Sequence, residues 1–153
     1  MILLDNFIIK LRVLQDMLNK KRELLSQIMI ITENQENILL SPHAASDEGA
    51  AFFTGLNEEK QNLIELVLEA DKLFQHSFDE LKDEFELKAR DNAEDVQALK
   101  DSIKEIVDLD SKIRVKEEKN RMLLDKVRYK NKIDMRTANK AHVLKQYKKN
   151  KYF

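Results

Sequence analysis

Cysteine is absent from this sequence, which removes disulfides, thiol nucleophiles and thiolate-bound zinc and suits a reducing cytoplasm. Only one proline, Pro42, and two glycines, Gly49 and Gly55, occur in 153 residues, too few for a turn-rich β protein. No apolar run approaches the ~18 residues that cross a bilayer, so no membrane span is expected. The first nine residues include Asp5 and Asn6 and lack the basic start of a signal peptide, giving the reading of an unexported, cytoplasmic chain.

Chemistry is missing in the same way. With two isolated glycines there is no Gly-rich phosphate loop and no Gly-x-Ser-x-Gly elbow. The three histidines, His43, His76 and His142, stand alone; none has a Glu three positions before it, and no His-Glu-x-x-His occurs. Paired carboxylates such as Asp79 and Glu80, or Asp83 and Glu84, fall on a charged helix face, whereas acid–base work needs a concave, partly dry pocket. The expectation is a non-enzymatic protein with no catalytic residues, no metal and no cofactor.

What is present is helical periodicity. Charged residues make up 36% and hydrophobic residues 42%, the balance of long amphipathic helices. From Leu56 to Leu87, apolar residues recur in steps of three and four at Leu63, Leu66, Val67, Ala70, Leu73, Phe74, Phe78, Leu81 and Phe85, one broad stripe opposite an acidic face. A lone helix cannot bury such a stripe, so the rest of the chain is organised around it. Upstream, Ile2 to about Gln35 has Leu4, Phe7, Leu11, Leu14, Leu18, Leu25 and Ile28 at near-heptad spacing, which predicts a first helix of about nine turns. Lys20, Lys21 and Arg22 interrupt it as a solvated edge.

Between them, Asn37 to Gly55 holds Pro42 and both glycines and predicts the principal loop. Ser46 followed by Asp47 and Glu48 offers an early start for the second helix, and Phe52 with Phe53 should fold over the bundle end. A third helix is expected from about Ala93, with Val96, Leu99, Ile103, Ile106, Ile113, Leu124 and Val127 on one side. The turn before it would rest on Asp91 and Asn92, Asn92 acting as cap; one continuous helix past Val127 is the alternative.

The fold class expected is therefore all-α: an elongated antiparallel helical hairpin with a long third helix, a coiled-coil-like bundle. Leu63, Leu73, Leu81, Leu99 and Ile103 should be core. Thin helices leave apolar edges uncovered, so self-association is expected too.

The net charge of −1 conceals a division. Residues 128–153 hold nine Lys/Arg against the single Asp134, formally +8, while residues 1–127 hold the other 18 Lys/Arg and 27 Asp/Glu, formally −9. The chain thus divides into a helical body, 1–127, and a basic tail, 128–153. The stripe thins to RVKEEKNR at Arg114–Arg121 and only a weak apolar set remains beyond Val127, near which the bundle core should end. Beyond it a thin apolar line, Val127, Ile133, Ala141, Leu144 and Tyr147, suits docking on another protein's helix. Tail cations with Tyr129, Tyr147, Tyr152 and Phe153 also match single-strand binders, but the acidic body would repel a polyanion, which makes nucleic acid the lesser partner.

The run LQDMLNKKRELL at Leu14–Leu25, a short breaker loop, Leu-x-x-x-Lys-Gln-x-Leu-Ile at Leu56–Ile64 and Ala-Asp-x-x-Phe at Ala70–Phe74 resembles FlgN-type flagellar export chaperones over roughly residues 11–125. The resemblance implies a small cytoplasmic helical protein that binds hook–filament junction proteins before their passage through the flagellar type III export apparatus. It also implies that the C-terminal segment helps hold the substrate. The alternative is a helical scaffold or adaptor whose basic tail binds nucleic acid or another acidic partner.

Overall fold

The computed structural model describes the backbone of residues 6–137 and the side chains of residues 6–130. Three α-helices account for nearly all of it: α1 (Asn6–Leu40), α2 (Asp47–Lys88) and α3 (Ala93–Thr137). There is no strand among the described residues, and the chain is an all-α helical bundle.

The loop is much shorter than Asn37–Gly55. Helix α1 runs on to Leu40 because Leu39 still finds cover, and it stops where Pro42 removes an N–H and disfavours helical geometry at Ser41. Ser46 caps α2 early: its Oγ accepts from the Gly49 N–H at 3.0 Å, and Asp47 and Glu48 fill the first turn. Both glycines therefore lie inside α2. Gly49 is needed there, because a Cβ would come within 2.4 Å of the His43 carbonyl oxygen; at Gly55 a Cβ would meet nothing within 4 Å.

At the other end of α2 the reversal is made by a single 3-10 turn, Arg90–Asn92, with no positive φ among the described residues. Asn92 does not serve as the cap of α3. Its side-chain amide instead donates to the Lys88 carbonyl at 2.9 Å, closing the free end of α2.

The chain forms two compact units, Met1–Gln27 with Leu63–Ser111, and Ile28–Asn62 with Lys112–Phe153. In the first, α1 lies antiparallel to α2, as Lys10–Glu84 (3.0 Å) and Lys21–Asp71 (2.6 Å) show, and parallel to α3 through Gln15–Ser102 and Arg22–Glu105. Lys21 and Arg22 are thus cross-helix ties rather than a simple solvated edge. The core holds Phe7, Leu11, Leu14, Leu18, Leu81, Val96, Leu99 and Ile106, and Phe7 meets Phe85 edge to face at 6.2 Å. Of the five expected core residues, Leu81 and Leu99 are buried and Leu63 is half-buried. Leu73 and Ile103 are not core: they stay 60% and 40% exposed, because the stripe is wider than the arc two neighbouring helices cover.

In the second unit Ile28, Ile31, Leu39, Ala50, Phe53 and Ile113 are buried. Phe53 turns inward as expected, whereas its neighbour Phe52 faces solvent. The thinning at Arg114–Arg121 has a structural reason. It marks a polar layer, in which buried Lys60 donates to Gln35 Oε1 (2.5 Å) and Glu117 Oε1 (2.6 Å). Thr32 donates to the same Glu117 oxygen, Gln35 to Asn57, and Asn120 to the Thr32 carbonyl.

Candidate functional site

Buried polar chemistry in the second unit is structural. A cleft of about 430 Å³ beside the polar layer is bordered by Lys60, Arg114, Glu117, Asn120 and Arg121. Lys60 is held between two acceptors, and Arg121 is clamped by Glu118 at 2.5 Å and faces Asp125 at 3.7 Å. The Arg121 hydrogen bond holds the Glu118 carboxyl below the usual carboxylate range. Among the described residues no three metal-capable side chains converge, and no helix is long and apolar enough to cross a membrane. His76 sits on the surface beside Glu80 at 3.1 Å.

The feature without a structural purpose is on the outer face of α3. Its inward seam in the second unit is Ile113, Asn120 and Val127, spaced by seven, the first two buried and Val127 half-buried. On the opposite side of the helix, also spaced by seven, stand Val115, Met122 and Tyr129, at 70%, 55% and 67% exposure. Seven and fourteen residues before Val115 the same line carries Asp108 and Asp101, the residues a solvated face ordinarily shows. The line therefore turns from acidic to apolar as α3 enters the second unit.

Of the sequence-derived partner residues, Val127 belongs to the inward seam. Position 133 lies on the continuing helix seven residues after Lys126, beside the outward line rather than in its heptad register, and its side chain is not described. Ala141, Leu144 and Tyr147 lie outside the described residues. Sequence reasoning missed Val115 and Met122, and took Tyr129 only as an aromatic of the tail. Their signal was there in the seven-residue spacing of Val115, Met122 and Tyr129.

Comparison with protein-family models, with curated proteins and with solved structures returns no match to this chain.

Proposed function

We propose that this chain is a non-enzymatic binding protein that holds a helical segment of another protein against the outward line of α3, acting in the cytoplasm as a chaperone for flagellar hook–filament junction proteins before export. One observation carries the binding reading. Val115, Met122 and Tyr129 form a solvent-facing apolar line at heptad spacing on a helix whose opposite side already fills the bundle. Such a line is what a helix-on-helix contact uses, with anchors every second turn. Fully covering each of these side chains would contribute about 1.5–3 kcal/mol, and the partner's own apolar anchors add to this against the entropy of association. The chaperone identity is supported by the sequence resemblance at Leu14–Leu25 and Leu56–Phe74.

Titration of the full chain with a purified hook–filament junction protein tests the proposal. Binding in the micromolar range or tighter is expected, with loss of at least tenfold for Met122→Asp and no change in helicity, because Met122 is more than half exposed. Equal binding by wild type and Met122→Asp, or none by either, would overturn it.

A further inference from the structure

The outward line has two edges of unlike charge. On one, Lys112, Lys119 and Lys126 repeat every seven residues, each three positions before Val115, Met122 or Tyr129, so a lysine stands beside every apolar anchor. All three are exposed; Lys119 reaches Glu36 at 3.5 Å, and Glu36 is shared with Lys116. The other edge carries Glu118 and Asp125, each facing Arg121, and is neutralised within the helix. Residues 112–130 hold eight Lys/Arg against three Asp/Glu in a chain whose net charge is −1.

Resting on the binding reading above, we infer that the partner is an amphipathic helix of another protein, apolar at heptad spacing and acidic along the edge that meets Lys112, Lys119 and Lys126. A complementary row places opposite charges beside a desolvated seam, where it sets register and rejects helices of the wrong sign. A second copy laid antiparallel would set lysine against lysine. A nucleic acid is disfavoured because Tyr129 alone of the three anchors offers a stacking surface and Glu118 and Asp125 border the line. A membrane surface is disfavoured because one apolar residue in seven makes too narrow a face to enter it.

Two synthetic helical peptides with the same apolar heptad face, one edged with Glu and one with Lys, test this against the full chain. The Glu-edged peptide should bind at least tenfold more tightly at low salt, with the difference shrinking as salt rises. Lys112→Glu/Lys119→Glu/Lys126→Glu should reverse the preference. Lys112→Gln/Lys126→Gln, which leaves the Glu36 contact intact, should reduce it several-fold. Equal affinity for the two peptides, together with loss on Met122→Asp, would overturn the charge inference and leave the docking reading standing. Binding of neither peptide, or binding indifferent to Met122→Asp, would overturn both. Displacement of the Glu-edged peptide by anionic lipid vesicles or a single-stranded oligonucleotide would reassign the surface.

Discussion

The polar layer of the second unit makes a prediction with a definite order of effects. Lys60 is buried and lies between Gln35 Oε1 and Glu117 Oε1, while the Glu117 side chain keeps 40% of its surface in water. Breaking a fully buried ion pair by removing one member costs about 3–5 kcal/mol. Here Gln35 remains as acceptor and Glu117 is screened, so Glu117→Ala should cost about 1–2 kcal/mol. Lys60→Met takes the charge out of the interior but leaves the buried Gln35 oxygen bare, a penalty of about 1–3 kcal/mol. Gln35→Leu/Lys60→Met removes both partners; Asn57, which loses its bond from Gln35, is exposed and turns to water. The double variant should thus lie within about 1 kcal/mol of wild type and above Lys60→Met alone, a non-additivity that direct contact produces. Urea unfolding followed by far-UV circular dichroism at fixed protein concentration reads all three. A double variant less stable than Lys60→Met would refute the assignment of the cost to an orphaned oxygen.

Further outcomes follow from single sites. Gly55→Ala should stabilise by about 0.8–1 kcal/mol, because α2 gains a better helix former with no clash, whereas Gly49→Ala should destabilise through its approach to the His43 carbonyl; thermal melts separate the two. Leu81→Ala should cost about 2–5 kcal/mol, since that side chain is almost fully enclosed. Glu118 is held in its ionised form by Arg121, so the contact contributes above the ordinary carboxylate pKa and fades as pH falls through the lowered one; Arg121→Ala should move the Glu118 titration, followed by NMR, upward. Self-association through the uncovered edge residues Leu66, Leu73, Ile103 and Val107 should show in sedimentation at micromolar concentration and vanish in Leu73→Glu/Ile103→Glu; a strict wild-type monomer would contradict it.

Helix number and type were legible because period and breaker content agree along the whole chain. The ends were less so, since a proline and a serine cap outweigh two glycines: Ser46 starts α2 ahead of Gly49 and Gly55. At Arg114–Arg121 the loss of apolar residues was legible as a thinning of the stripe but not as a polar layer, in which Lys60, Gln35 and Glu117 satisfy one another. Periodicity counts apolar residues but not partners brought together across 57 positions. Leu73 and Ile103 show the converse limit, because which edge of a wide stripe is covered depends on where the neighbouring helices sit. The outward line was not read from the sequence: the partner line expected there began at Val127, which the structure puts on the inward seam, and Val115, Met122 and Tyr129 emerge only once the buried seam fixes which side of α3 is spare.

The central claim is that this spare side holds a partner's helix. A photoreactive residue at position 122 of the full chain, irradiated in the native cell and followed by mass spectrometry, tests it most directly. The account predicts crosslinks to one helical segment of a flagellar junction protein, absent when the same probe replaces Asp108 on the acidic stretch of the line. No crosslink at 122, or the same products from 122 and 108, would contradict it.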